Sequence, residues 1–306
     1  MTREQTKAAW LCLAFTKGIG PKTCERLICR FGSPEKALAA SREELTGGGL
    51  LSARLAKTVA KRRESISENK KLVRYLTHRG ISIITRPEKV YPRSLLQLTD
   101  PPPVILARGE RRILTRKSVA IIGTTKPSNR GASIAKRIAM NLSNAGCSVV
   151  SGYARGIDTA GHLGALNARG NTILVIPTGI HTFRWRPSFQ CLQGADEHAL
   201  ILSERHPDEH WSTGNAIARN RLVVALSDAV IFVETLARPA TKETFRLARQ
   251  LGKPVFVVKY RRTPASAAGN TTLLKMGGIP LQRYKDVEAI LKSRPIPIPV
   301  QGELDW

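Results

Sequence analysis

Four short segments collect the residue types that hold phosphate oxygens. The first, Gly123-Thr-Thr-Lys-Pro-Ser-Asn-Arg-Gly131, sets small residues and hydroxyls beside two cations. Ahead of a helix, such a loop offers an anion both backbone N–H groups and the positive end of a helix dipole. Its candidate contacts are Gly123, Thr124, Lys126 and Arg130. The second runs from Ser151 to His162. Ser151, Gly152 and Gly156 leave room for an anion, Arg155 projects into the loop, and Asp158 is placed to cap the next helix or to orient the arginine. His162, four residues on, shares the helical face of Asp158 and could pair with it. The third is Pro177-Thr178-Gly179, leading into Phe183-Arg-Trp-Arg-Pro187. Alternating aromatics and arginines suit either base stacking with phosphate neutralisation or a packed lid. The fourth centres on Arg219-Asn220-Arg221, where two arginines flanking an amide could grip a phosphate bidentately or form salt bridges to Glu204 or Glu234.

A further candidate lies near the N-terminus. Lys17-Gly18-Ile19-Gly20-Pro21-Lys22 is a Gly-x-Gly turn between two helical patterns, the helix-hairpin-helix signature. Gly18, Gly20 and Lys22 could present amides and a charge to a phosphate, or the glycines could simply permit a tight turn. No Gly-x-Gly-x-x-Gly and no Walker A pattern occurs, which argues against dinucleotide redox chemistry and P-loop hydrolysis. Five cysteines without a Cys-x-x-Cys, and six histidines without clustering, give no metal site; His206 and His210 are four apart, but Pro207 breaks the helix that would align them.

The elements that must position these segments fall into two patterns. Residues 1–80 read as short helices, Ala8 to Phe15, Pro21 to Phe31, Ser33 to Ala40, Ser41 to Leu45, and one long helix from Ser52 to about His78. Ser33-Pro34 and the Ser41 to Glu44 spacing mark helix starts. From Ile81 the pattern becomes β/α alternation, with strand-like runs at Ile81–Thr85, Val104–Ala107, Val119–Ile122, Ser148–Ser151, Thr172–Ile176, Leu200–Ser203, Ala229–Val233 and Val255–Val258. Between them the clearest helix spans Ala132 to Ala145, with Ile134, Ile138 and Leu142 on one face. Continuous apolar strands separated by amphipathic helices predict an α/β fold: a Rossmann-like, doubly wound, mostly parallel sheet preceded by a small helical domain. The expected organisation is a helical module over 1–80, a Rossmann-like domain over 81–292, and an extended Pro-rich tail over 293–306. In such sheets ligands bind at the carboxyl ends of the strands, where the marked loops lie.

Composition narrows the ligand. The chain has 306 residues, 42% hydrophobic and 24% charged, a globular balance with length for two domains. No run approaches the roughly 18 apolar residues that cross a bilayer, and the polar N-terminus lacks a signal-peptide pattern, so a cytoplasmic protein without membrane contact is expected. Lys and Arg number 49 against 23 Asp and Glu, a net charge of +26 shared by both halves. A surface so positive calls for a polyanion, and nucleic acid is the commonest in that compartment; a basic composition common to a whole lineage is the plainer alternative.

Taken in order, Val119-Ala-Ile-Ile-Gly-Thr-Thr-Lys-Pro, Ser151-Gly-Tyr-Ala-Arg-Gly-Ile-Asp, Pro177-Thr-Gly, Arg219-Asn-Arg and Val233-Glu234 resemble the DprA/Smf family of DNA-processing proteins. Tyr91-Pro92 with Leu95, Asp100-Pro101-Pro102, Gly269-Asn270 with Leu273, and Gly277-Gly278 add to the likeness, as do Gly18-Ile-Gly-Pro and Arg30-Phe-Gly-Ser-Pro in the helical part. The resemblance implies a non-catalytic, cofactor-free protein that binds single-stranded DNA at the strand ends, forms a homodimer and helps load a RecA-type recombinase during uptake of transforming DNA. The implied pocket holds Gly123, Lys126, Ser151, Gly152, Arg155, Gly156, Asp158, Thr178, Gly179, Arg219, Asn220 and Arg221, to which the loop chemistry adds Thr124, Arg130 and Lys242. The chain departs from the family in three places. The usual Gly-Ser-Arg reads Gly123-Thr124-Thr125; the Ser-Gly-Ser-Leu-like segment reads Arg238-Pro-Ala-Thr-Lys-Glu243; and the winged helix of many members is expected to be absent. A role in defence against foreign DNA fits the same residues. So does a nucleotide hydrolase: Thr241-Lys-Glu243-Thr faintly resembles a phosphoribohydrolase loop, with Glu243 and Asp158 as its acid–base candidates.

Overall fold

The computed structural model describes residues 2–190, 192, 194–282 and 290. The expected tail over 293–306 and the expected end of the second domain at 292 lie outside them. The chain divides into two compact units, one formed by 1–108 with 178–182 and 202–210, the other by 109–177, 183–201 and 211–306.

In the first unit six helices precede a hairpin-like strand pair: α1 (Arg3–Ala14), α2 (Pro21–Phe31), α3 (Pro34–Ala39), α4 (Arg42–Thr46), α5 (Ala53–Arg62) and α6 (Ile66–His78), then β1 (Ile81–Thr85) and β2 (Val104–Gly109), which pair antiparallel. The expected helix starts are present. Ser33 accepts a hydrogen bond from the Lys36 amide, and Ser41 and Glu44 close a reciprocal capping box. The long helix expected from Ser52 to His78 is instead two helices joined by a 3₁₀ turn at Arg63–Ser65. Lys61-Arg-Arg-Glu-Ser65 carries no apolar side chain to continue a buried stripe, and Arg62 turns in to donate to the Phe15 carbonyl (3.2 Å) and the Thr16 hydroxyl (3.3 Å) at the end of α1. The expected boundary at 81 separates residues by secondary structure; the compact unit keeps β1 and β2 with the helices.

The second unit holds β3 (Ser118–Ile122), α7 (Asn129–Asn144), β4 (Ser148–Ser151), α8 (Ile157–Asn167), β5 (Thr172–Val175) and the short α9 (Pro187–Gln190). After β6 (Ala199–Ser203), within which the division falls, come α10 (Thr213–Ala225), β7 (Ala229–Phe232), α11 (Pro239–Gln250), β8 (Val255–Val258), α12 (Ala268–Lys275) and β9 (Ile279–Leu281). Strands β5, β4, β3, β7, β8 and β9 lie side by side in that order, with β3 in parallel register against both β4 (Val119 beside Val149) and β7 (Val119 beside Ala229). Renumbered within the unit this is the 3-2-1-4-5-6 order of a Rossmann sheet, whose switch point lies between β3 and β7. Side chains alternate across the sheet. Val119, Ile121, Val149, Ile231 and Val233 pack with Ile138 and Leu142 of α7 and Ile157 of α8, whereas Phe232 meets Phe245 of α11, ring centres 6.0 Å apart. Both faces are thus covered, and the fold is the α/β, Rossmann-like class read from the sequence. Strand β9 is an addition: three residues containing Pro280 and preceded by Gly-Gly read locally as a turn, and pairing with β8 fixes them as a strand.

Candidate nucleic-acid interface

At the switch point the loops after β3 and β7 turn to opposite faces and leave a cleft of about 260 Å³. Its walls come from Gly123, Thr124 and Thr125 after β3; Ser151, Gly152, Ala154 and Asp158 after β4; Thr213, Ala216, Ile217, Arg219 and Asn220 on α10; and Thr235, Arg238, Thr241 and Thr244 after β7. Chain segments far apart in sequence therefore converge, as the expected strand-end site requires.

Arg219 is the buried cation of this cleft, only 5% exposed. Its guanidinium lies against Gly152, where any Cβ would collide with it. Asp158, buried at the start of α8, is its counter-charge and accepts a hydrogen bond from the Ala154 amide (3.1 Å). Burial pushes the Asp158 carboxyl above the usual range, while Arg219 and the hydrogen bonds from Ala154, Ser151 and Gly152 pull it back. Burial also lowers the Arg219 pKa, from a value so high that the guanidinium stays charged. Its Nε finds no hydrogen-bond partner among the described residues. Gly156, at φ 76°, lets the chain reverse tightly beneath the Thr124 carbonyl before α8 begins.

The pairing of Asp158 with His162 does not occur. His162 is fully buried and its Nδ1 meets the Thr172 hydroxyl at 2.7 Å, because the far side of α8 faces β5 rather than the loop. Burial, with Arg219 and Arg186 nearby, pushes its pKa down to about 3, so the ring is neutral at physiological pH.

The first helix terminus is also used differently from expectation. Glu234, fully buried after β7, accepts from the Ser128 amide (2.8 Å) and hydroxyl (2.6 Å) at the N-terminus of α7. An internal carboxylate thus occupies the place expected for a bound anion, and Ser128, in place of an arginine, is the partner of Glu234. Lys126 and Arg130 are exposed and do not line the cleft; the Arg130 guanidinium sits over the Tyr260 ring, 5.8 Å from its centre. The helix end that does open into the cleft is that of α11. Arg238 occupies its N-cap with no side-chain cap bond, Pro239 starts it, and Thr241 and Thr244 follow along the wall. Arg238 and this terminus escaped the sequence reading, although an arginine before a proline at a helix start was the available signal. Buried Asn270 holds the segment in place, accepting from the Thr235 amide and hydroxyl and donating to the Val233 and Val258 carbonyls, all at 2.8–2.9 Å.

Of the remaining candidates, Arg155 is exposed, and Arg155, Gly156, Arg221 and Lys242 do not line the cleft. Arg219 and Arg221 are two residues apart on a helix, about 200° round its axis, so one phosphate cannot meet both from α10. Thr178 and Gly179 belong to the first unit, where the Thr178 carbonyl accepts from Ser203 Oγ (2.6 Å) and the Gly179 amide donates to the Glu209 carbonyl (2.8 Å). Gly18 and Gly20 are exposed in the turn before α2, with Gly20 as its N-cap, and Lys22 is exposed in the first turn of the helix. The aromatic-arginine segment is a packed lid. Phe183, Trp185 and Phe189 surround Tyr153, and Arg186 stacks 4.3 Å over the Tyr153 ring while bonding its carbonyl and the Thr159 hydroxyl. Glu243 is exposed and outside the cleft. Among the described residues no three His, Cys, Asp or Glu side chains gather as a metal site would need, and no helix is long and apolar enough to cross a membrane.

The chain is similar to known proteins in sequence and in fold. The DNA processing protein DprA of Bacillus subtilis is 29% identical over 216 residues, 70% of this chain and 73% of its own length. The solved structure of Helicobacter pylori DNA processing protein A, described for its single-stranded DNA binding mode, is 29% identical at a TM-score of 0.61, covering 70% of this chain and 97% of that one. The Streptococcus pneumoniae DprA structure shares the fold over 90% of this chain and 94% of its own, at 24% identity and a TM-score of 0.67. A DprA-like N-terminal helix-hairpin-helix domain matches residues 4–64. With the DNA recombination-mediator protein A model matching residues 82–292, which hold every wall of the cleft, the chain belongs to that family.

Proposed function

We propose that the cleft between β3, β4, β7 and α10 binds the backbone of single-stranded DNA, and that the chain acts on such strands in recombination. The observation that carries this reading is the convergence of Arg219, Arg238, the open first turn of α11 and the hydroxyls of Thr124, Thr125, Thr213 and Thr241 on one small space. Charged donors and hydroxyls of this kind fit phosphate oxygens, and they do not discriminate between bases. A net charge of +26 exceeds what one small nucleotide needs and suits a longer polyanion.

The carboxylates near the cleft favour binding over cutting. Asp158, the one carboxylate lining it among the described residues, is buried beside Arg219, and Glu243 stands outside. The burial of Asp158 and the place of Glu243 outside the cleft support a binding role over an acid–base one. We therefore read the chain as a binding protein of the cytoplasm, acting as a homodimer that delivers strands to a RecA-type recombinase. Mobility shifts with single- and double-stranded oligonucleotides, run beside an assay for base release from nucleoside monophosphates, test the reading. Retarded single strands without released base are expected; released base, or no retardation of single strands, contradicts it. Sedimentation with and without a recombinase tests the two assembly partners, and a monomer that ignores the recombinase rejects both.

A further inference from the structure

We propose that the indole of Trp211 is a platform on which a nucleobase of the bound strand stacks, an inference that rests on the single-strand reading above. Trp211 is 63% exposed, and of the described aromatic side chains in its unit it alone is largely open to solvent. Trp10 is in the core, and Trp185 is packed among Phe183, Phe189 and Tyr153 with its Nε1 donating to Asp196 at 3.0 Å. Trp211 stands immediately before Ser212, the N-cap of α10, whose hydroxyl accepts from the Asn215 amide. Two residues further on, Thr213 is already part of the cleft wall. Two peptide units span at most about 7 Å, so the Trp211 backbone borders the cleft.

A structural use for such a residue exists: the position before an N-cap can pack against the fourth helical residue and fix the entry of the chain. Here that residue is Ala216, whose single methyl covers little of an indole, and the exposure of Trp211 shows most of its ring unclaimed. Ile217, also in the cleft wall, adds a second exposed apolar side chain at 46%. A broad apolar ring at the border of a cleft that holds Arg219 and Arg238 suits a ligand that is polyanionic along its backbone and flat and apolar between the charges. Unpaired nucleotides have both properties, whereas a duplex hides the faces of its bases and a free phosphate has none.

The test uses the full chain, an oligothymidylate, and an abasic strand of equal length, following tryptophan emission and the anisotropy of labelled strands. The wild type is expected to be quenched by the oligothymidylate and not by the abasic strand. Trp211→Ala weakens oligothymidylate binding on the order of tenfold, while abasic binding and the salt dependence stay as in the wild type. Trp211→Phe keeps affinity within about threefold, since a phenyl ring still stacks, yet loses the quench. Unchanged affinity in Trp211→Ala, full quenching in Trp211→Phe, or wild-type binding that ignores the bases overturns the platform and leaves phosphate binding standing. A wild type that binds neither strand removes the single-strand reading along with it.

Discussion

Helices α7 and α11 both begin where a parallel strand of the same sheet ends, and each would favour an anion at its first turn. At α7 the anion is internal: Glu234 arrives from the neighbouring strand and takes the Ser128 amide and hydroxyl. At α11 the N-cap is Arg238, with no side-chain cap bond, and the turn faces the cleft. The first terminus is spent on holding β3 to β7, and the second is left for a ligand. The two helix starts thus differ in what meets them: a buried carboxylate and a serine cap at α7, and at α11 a proline without an N–H behind an uncapped Arg238 that faces the cleft.

The comparison can be broken or sharpened by substitution. The largest effect is expected at the floor of the cleft, where Arg219→Ala empties the space against Gly152 and removes the positive charge nearest buried Asp158, costing about 2–4 kcal/mol in urea unfolding. A midpoint equal to wild type would refute the pairing. Next comes pH. His162 has a folded pKa of about 3 against an ordinary value near 6.5, so its stabilisation is complete above that ordinary value and is lost as pH falls through the interval. By about pH 5 this removes about 2 kcal/mol, and His162→Gln should flatten that part of the profile; an unchanged profile assigns the loss elsewhere. Third, Glu234→Ala should cost about 1–3 kcal/mol by leaving Ser128 unsatisfied, and it should make the melting temperature rise with added sulfate more steeply than in wild type. No gain in the sulfate response means that Glu234 is not what keeps anions from α7.

Smaller effects separate the two termini in binding. Arg238→Ala should weaken oligonucleotide binding about tenfold at low salt and reduce the log–log salt slope by about 0.7, without shifting thermal stability. Lys126→Ala, at the α7 loop, should change affinity less than about threefold. A larger loss at Lys126 than at Arg238 reverses the assignment of the two ends.

The sheet was legible because apolar runs such as Val119–Ile122 and Ala229–Val233 leave few alternatives to buried parallel strands. The convergence of Gly123, Ser151, Gly152, Asp158 and Arg219 followed from the rule that ligands gather at strand ends. What stayed hidden was the use of side chains across long sequence distances. Glu234 is 106 residues from Ser128, and no local pattern announces that a carboxylate will fill the terminus of α7. Helical geometry could have parted Arg219 from Arg221, but only once the helix phase was known. The arginines and aromatics of Phe183–Pro187 looked available for DNA because composition does not reveal that Tyr153 will sit in their midst.

The central claim is that the cations and hydroxyls lining the cleft, Arg238 on its β7–α11 side among them, hold the phosphates of a flexible strand. The measurement that tests it most directly is an anisotropy titration of a single-stranded oligonucleotide over a series of salt concentrations. The account predicts a straight log–log decline of about −0.7 per phosphate contacted, and far weaker binding of a mononucleotide. A flat response to salt, or a mononucleotide held as tightly as the strand, contradicts it.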